Sequence, residues 1–245
     1  MPLEAPLDSV VDRVADLNRR YAHHAAHDVL THALTDPQVG HAAMVSSFGA
    51  ESVVLLHMLS TVDRTTPVLF VDTEMLFPET LVYQQEVAEK LRLTAVEVIR
   101  PDRDETFLED GENGLHRINP DACCELRKTR PLERALAPYE AWITGRKRYQ
   151  GGRRVDLSFF EADDAGRIKV NPLAHFSLED IQDYILNNRL PRHPLVDKGY
   201  PSLGCAPCTT RVAPGEDQRA GRWRGFDKTE CGIHFADGAA VPALI

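Results

Sequence analysis

Hydrophobic positions change their period along this chain, and the changes predict its elements. Val10, Val14, Leu17 and Tyr21 recur at helical spacing, so residues 1–40 read as an N-terminal helical segment. From residue 41 the pattern becomes strand–loop–helix. Ala42-Ala43-Met44-Val45 is a short buried strand, Ser46-Ser47-Phe48-Gly49-Ala50-Glu51-Ser52 a turn, and residues 53–60 begin a helix. Residues 68–71 are a second apolar strand, ended by Asp72-Thr73. Pro78 fits the first turn of a helix reaching about Leu91. Residues 95–99 form a third strand and residues 141–145 a fourth.

Alternating β and α units predict an α/β fold with a parallel sheet and helices on both faces. Ligands of such sheets bind beyond the C-terminal strand ends, where the 46–52 turn, Asp72-Thr73 and Gly145 fall. Ser177 caps one more helix over residues 178–187. The prolines that follow (191, 194, 201, 207, 214) punctuate an irregular stretch. The predicted organisation is a helical segment (1–40), an α/β domain (41–208) and a C-terminal arm (209–245).

A chain of 245 residues, 43% of them hydrophobic, suits one such domain with an appendage. The first residues lack a basic and apolar leader pattern, and the longest apolar run is too short to span a bilayer. The expectation is a cytoplasmic protein without membrane contact. The net charge of −9 argues against general nucleic-acid binding. It also conceals an asymmetry. Residues 1–122 carry 9 Lys/Arg against 21 Asp/Glu, a balance of −12, whereas residues 123–154 carry 9 against 3, a balance of +6. A basic stretch inside an acidic protein fits a small anionic ligand, or simply a solvated basic face.

Five cysteines bring chemistry into the picture: Cys123-Cys124, Cys205-x-x-Cys208 and the singleton Cys231. In a reducing compartment the two pairs read as four ligands of one metal centre, brought together by the fold across 80 intervening residues. Four thiolates suit zinc or an iron–sulfur cluster. Adjacent side chains on a helix diverge by roughly 100°, so Cys123 and Cys124 reach separate irons of a cubane more readily than one ion. That favours [4Fe–4S] and leaves zinc open. Cys231 is left over, with Arg219, Arg222, Arg224 and Lys228 before it and His234 after it. Cations of this kind stabilise a thiolate nucleophile; the alternative is an inert tail cysteine. The strand–helix turn at 46–52 can cup an anion with its N–H groups and hydroxyls, although it is not a Walker A loop. His23 and His27 stand at i,i+4, a spacing that can hold a metal, but with no third ligand nearby they read as surface histidines.

These segments resemble the iron–sulfur type of adenylyl-sulfate reductase, within the phosphoadenylyl-sulfate reductase family. The resemblance covers about residues 40–235. It is carried by the 46–52 turn, Val71-Asp72-Thr73, Cys123-Cys124-Glu125-Leu126-Arg127-Lys128, Trp142-Ile143-Thr144-Gly145-Arg146, residues 199–209 around Cys205-Ala206-Pro207-Cys208, and Lys228-Thr229-Glu230-Cys231-Gly232-Ile233-His234. It implies an adenine-nucleotide α-hydrolase-like fold, a [4Fe–4S] cluster on Cys123, Cys124, Cys205 and Cys208, and Cys231 as nucleophile. It further implies Lys128, Arg219, Arg222 and His234 as cations around the reacting group. Ser46, Ser47, Phe48, Gly49, Ser52, Asp72, Thr73 and Arg146 would hold the nucleotide. Glu74 departs from the family, which usually has glycine there.

The implied reaction is reduction of adenylyl sulfate to sulfite and AMP through an S-sulfocysteine on Cys231. No sixth cysteine is present, so an outside dithiol must release the sulfite, and the resemblance points to thioredoxin. A homo-oligomer is compatible with the sequence. Other readings are the 3′-phosphorylated nucleotide as substrate (its reductases generally lack the cysteine pairs), a zinc-stapled nucleotide-binding module without catalysis, and an ATP-pyrophosphatase-type thiolase acting on tRNA. Phe48 and Glu51, in place of a glycine-rich loop, argue against the last.

Overall fold

The computed structural model describes residues 9–228, 230 and 232–234. Helices α1 (Val10–Tyr21) and α2 (Ala26–Thr35) open it. Ser9 caps α1 by accepting from the Asp12 N–H at 3.2 Å. The helical spacing read from the sequence puts Leu17 and Tyr21 in the core, where Val29, Leu30 and Ala33 of α2 join them.

The sheet follows as β1 (Ala42–Val45), α3 (Ser52–Val62), β2 (Val68–Val71), α4 (Pro78–Leu91) and β3 (Val96–Ile99). Four helical pieces lead to the other half: α5 (Arg103–Asp110), α6 (Leu115–Ile118), α7 (Pro120–Cys124) and, after a π-helical turn over Glu125–Thr129, α8 (Arg130–Leu136). Then come β4 (Ala141–Ile143), β5 (Phe160–Ala162), β6 (Ile168–Val170) and α9 (Leu178–Asn187). The strand order is β3-β2-β1-β4-β6-β5, parallel except for β5.

The predicted four parallel strands are thus the middle and one flank of a six-stranded sheet. β5 and β6 have three residues each, too few to show a period. Their hairpin turns at Asp163 and Gly166, where a φ of +75° suits glycine. Asn18 closes the β5 edge: its side chain donates to the Phe160 carbonyl at 2.8 Å and accepts the Phe160 N–H at 3.0 Å.

Alternation along the strands sends side chains to two cores. Met44, Val68, Phe70 and Ile143 face the larger one, under α1–α4 and α9; Ala43, Leu69, Val71 and Trp142 face a smaller one closed by Leu132 and Leu136 of α8. Beyond α9 the chain is irregular, as the prolines predict, but it is pinned. His193 is fully buried and bonds Thr80 of α4 at 3.1 Å. The Ala206 N–H donates to the Met75 carbonyl at 2.7 Å, which fixes the second cysteine pair beside the end of β2.

Candidate active site

The chain leaves β1 for β2 and β3 on one side of the sheet and returns to β4 on the other. A crevice forms at such a reversal of strand order. A cavity of about 440 Å³ opens there, beyond the C-terminal ends of β1, β2 and β4. Of the residues singled out from the sequence, Ser46, Ser47, Gly49, Ser52, Lys128, Arg146, Arg219 and Arg222 line it.

The 46–52 turn holds its shape through its own polar groups. Ser46 Oγ accepts the Phe48 N–H at 3.2 Å, and Ser52 Oγ accepts the Gly49 N–H at 3.0 Å. Phe48 sits in the left-handed region with φ of +47°. Its ring does not face the cavity. It is fully buried and meets Phe70 edge to face, with centroids 5.3 Å apart. Phe48 therefore anchors the turn, and Ser47 and Gly49 present the cavity wall. Asp72 and Thr73 also lie off this wall. Asp72 accepts the Glu74 N–H at 3.0 Å, and Thr73 Oγ1 lies 3.1 Å from Cys205 Sγ. Glu74 takes a φ of +61°, which accounts for glycine being usual there.

Cations crowd the cavity, and several carry their own anion. Arg146 is buried against Asn171, with an Nε–Oδ1 distance of 3.2 Å, and pairs with Glu161. Lys147, also buried, pairs with Glu51 at 2.8 Å and donates to the Gly145 carbonyl at 2.9 Å. Burial raises the Glu51 carboxyl, but Lys147, Tyr149 and Gln150 together outweigh it and hold the group below the usual carboxylate range. Arg154 makes a two-point pair with Glu230, at 2.6 and 2.5 Å, and Arg219 reaches the same carboxylate at 3.4 Å. The guanidinium of Arg222 lies over the Trp223 ring at 4.3 Å and donates to the Leu203 carbonyl at 2.8 Å. A Cβ on Gly204 would meet that guanidinium, which would have to shift.

Glu51, Lys147, Tyr149, Arg154 and Glu230 were not among the candidates from sequence. Glu51 falls in the 46–52 turn, Glu230 in the segment from Lys228 to His234, and Lys147, Tyr149 and Arg154 in the basic stretch 123–154, but none of these says which side chains turn inward.

A second, smaller cavity adjoins the first. Cys123, Cys124, Cys205 and Cys208 all line it, with Thr73, Arg127, Lys128 and Arg222. Lys128, Arg222 and Trp223 belong to both cavities and form the wall between them. The π-helical turn after Cys124 lets neighbouring side chains part ways. Arg127 points inward, 2% exposed, and binds Asp110 through two nitrogens at 3.1 and 2.9 Å. Lys128 stands on the shared wall. Burial pushes the Cys123 thiol up to about 12, with Cys124 and Cys205 adding to the rise. Among the described residues, no three His, Cys, Asp or Glu side chains converge tightly enough to form a metal site. His23 and His27 are exposed, and His27 Nε2 lies 3.1 Å from Thr61 Oγ1.

Cys231 and the side chain of His234 lie outside the described residues. Their neighbours do not. Glu230 and Ile233 line the larger cavity, and Gly232–His234 is a 3₁₀ turn against the π-helical turn. Lys228 pairs with Asp121 and lies over the Trp223 ring at 5.6 Å.

Residues 41–211 match the phosphoadenosine phosphosulfate reductase domain. The chain belongs to this family. The adenosine 5′-phosphosulfate reductase of Mesorhizobium japonicum is 46% identical over 229 residues, covering 94% of this chain and 90% of that protein. The phosphoadenosine 5′-phosphosulfate reductase of Gloeobacter violaceus is 43% identical, covering 78% of this chain and 81% of its own. Among solved structures, the phosphoadenylyl-sulfate reductase of Candida auris, in a phosphate complex, superposes with a TM-score of 0.69 at 25% identity, over 86% of this chain and 99% of that one. The FMN adenylyltransferase of Candida glabrata shares the fold alone, with a TM-score of 0.54 at 18% identity, over 86% of this chain and 70% of that one. No helix among the described residues is long and apolar enough to cross a membrane.

Proposed function

We propose that this chain reduces adenylyl sulfate to sulfite and AMP, with Cys231 as nucleophile and a thioredoxin-type dithiol as reductant. The observation that carries the reading is the cation-lined cavity at the reversal of strand order, which Glu230 and Ile233, on either side of Cys231 in the chain, help to line. The 46–52 turn and Arg146 would take the nucleotide. Lys128, Arg219 and Arg222 would face the sulfate and the bridging phosphate, where negative charge gathers in the transition state.

In the first half-reaction the Cys231 thiolate attacks sulfur. A sulfur–sulfur bond forms, the sulfur–oxygen bond to the phosphate breaks, and AMP leaves with the electron pair. The enzyme then carries an S-sulfocysteine. In the second, a thiolate of the external dithiol attacks Cys231 Sγ and sulfite departs. The partner's second thiol closes its disulfide and returns Cys231 as a thiolate. The dithiol supplies both electrons.

The cysteine set has the ligand chemistry of a [4Fe–4S] cluster, although the four side chains do not converge on one point. The four thiol groups line one cavity, and four thiolates are the ligand set that such a cluster takes. Cys123, Cys124, Cys205 and Cys208 would hold it. Its charge would act across the wall formed by Lys128 and Arg222 on the field of the substrate cavity.

The unphosphorylated nucleotide is favoured by the presence of both cysteine pairs and by the name of the Mesorhizobium japonicum relative. The test is sulfite release from adenylyl sulfate and from its 3′-phosphorylated form, each with reduced thioredoxin. The reading requires faster turnover of the first. Preference for the second would move the substrate assignment, and sulfite from neither would remove the activity.

A further inference from the structure

Arg146 lines the larger cavity, yet most of its guanidinium is bonded within the protein. Nε lies 3.2 Å from Asn171 Oδ1 and 3.4 Å from Thr144 Oγ1. Nη2 donates to Asn171 Oδ1 at 3.1 Å and to Glu161. Nη1 makes no hydrogen bond among the described residues, so it is the nitrogen left for a ligand.

Asn171 is the centre of this arrangement and is fully buried. Its Oδ1 also accepts from Thr144 Oγ1 at 2.8 Å, and its Nδ2 donates to the Ser158 carbonyl at 2.9 Å and to Glu161 at 2.8 Å. Both ends of the amide are used, so the side chain cannot turn over without breaking these bonds. The sheet sets the geometry. β4 and β6 run parallel with Ile143 beside Val170, so Thr144 and Asn171 leave the sheet side by side. The Thr144 N–H donates to the Val170 carbonyl at 2.8 Å. On the other side, β5 sets Glu161 opposite Lys169, two residues before Asn171 and on the same face. Lys169 Nζ lies over the Trp142 ring at 4.4 Å, and Glu161 turns to Arg146 and Asn171 instead.

We infer that Asn171 and Glu161 are positioning residues that aim Arg146 Nη1 at the phosphate shared by AMP and adenylyl sulfate. The inference rests on the cavity being the nucleotide site. Three physical points carry it. Burying a guanidinium, an amide and a hydroxyl at one strand end is costly unless each is paired. Here the pairing leaves over one donor group, and it belongs to a residue of the cavity wall. A guanidinium N–H bonds best to a charged oxygen, and phosphate is the charged group common to both nucleotides. Lys128 and Arg222 stand on the wall shared with the cysteine cavity, whereas Arg146 follows β4, whose neighbour β1 leads into the 46–52 turn. Arg146 and that turn therefore share the nucleotide end.

Charge and aim make opposite predictions for Glu161. Its carboxylate offsets the charge of Arg146, so charge alone predicts tighter anion binding once it is removed. Aim predicts weaker binding, because a freed guanidinium must be ordered by the ligand. Equilibrium binding of AMP and of adenosine to the full-length protein at fixed ionic strength decides between them. Glu161→Ala and Asn171→Ala should each weaken AMP binding by about ten-fold, the size of one charge-assisted hydrogen bond, and adenosine binding by less than about two-fold. Glu161 is 33% exposed, so its variant keeps the test open if Asn171→Ala fails to fold. Arg146→Ala should weaken AMP binding to a similar extent, and adding Glu161→Ala to it should change little more, since both act through one contact. Glu161→Gln, which keeps an acceptor, should recover most of the affinity. A mere staple of the β5–β6 hairpin would instead weaken both ligands alike and add to Arg146→Ala. Unchanged or tighter AMP binding in Glu161→Ala, an equal loss for adenosine, or additive effects would each overturn the assignment while leaving the nucleotide site in place. Wild-type protein that binds neither ligand would overturn the nucleotide reading itself, and this assignment with it.

Discussion

At the scale of single residues, the roles divide by which cavity a side chain faces. Cys231→Ser should keep nucleotide binding but release no sulfite; equilibrium binding and sulfite assays on one preparation check this. Lys128→Met should depress single-turnover sulfonation by about 100-fold or more, since a cation aimed at developing charge is worth a few kcal/mol, and restoration by Lys128→Arg would be incomplete because the guanidinium is wider. Glu74 makes the opposite case. Its φ of +61° costs about 1 kcal/mol for a side-chain-bearing residue, and its ion pair to Arg127 spans 3.8 Å with the carboxylate half exposed. Glu74→Gly should therefore stabilise the protein by about 0.5–1 kcal/mol in denaturant unfolding, with sulfite release unchanged.

At the scale of elements, the 46–52 turn works because Phe48 is anchored beneath it. Phe48→Ala would empty a fully buried ring site against Phe70 and should cost about 3–5 kcal/mol of stability, with nucleotide affinity lost alongside. The irregular stretch after α9 is held by His193. The Leu195 N–H donates to its Nδ1 at 3.2 Å, so Nε2 carries the hydrogen given to Thr80 and the ring is neutral. Burial lowers its pKa from 6.5 to about 4. The unfolded chain then takes up the proton first as pH falls. Stability is full above pH 6.5 and is lost through the window down to about pH 4, by up to about 3 kcal/mol. Unfolding midpoints measured from pH 7 to 4 should show this slope, and His193→Gln should flatten it while starting from a lower plateau.

Elements were legible in the sequence where the apolar period ran long enough. The four parallel strands, α4 behind Pro78 and α9 behind Ser177 all announced themselves, whereas the three-residue β5 and β6 could not. The site was legible where chemistry narrows residue choice, as with the cysteine pairs and the strand-end serines. Glu51, Lys147, Arg154 and Glu230 were not legible, because an Arg or Glu reads the same on a solvated face and in a buried pair until the fold brings its partner from up to 76 residues away. Phe48 was assigned to the nucleotide from its place in the motif, and the left-handed backbone that turns its ring into the core leaves no period to detect.

At the scale of the whole molecule, a chain of net charge −9 holds a cation-lined cavity. The basic stretch 123–154 passes from the first cysteine pair through the π-helical turn to the end of β4, so the chain's positive residues converge where the strand order reverses. Six cations line the larger cavity, and Arg146, Lys147 and Arg154 are each paired with a glutamate. Binding of an anionic nucleotide should weaken with salt, yet less steeply than six charges imply, because those pairs are already satisfied. Titrations of nucleotide affinity between low and physiological ionic strength check this. The arm then brings the residues around Cys231 to the same centre. The central claim is that Cys231 itself takes the sulfonate before any reductant acts. The most direct measurement is to incubate the protein with adenylyl sulfate in the absence of thiols, digest it, and weigh the peptide containing Cys231. The account predicts one equivalent of AMP and a sulfonate on Cys231, discharged as sulfite when reduced thioredoxin is added. Sulfite release without a thiol, or a sulfonate carried on any other residue, would contradict it.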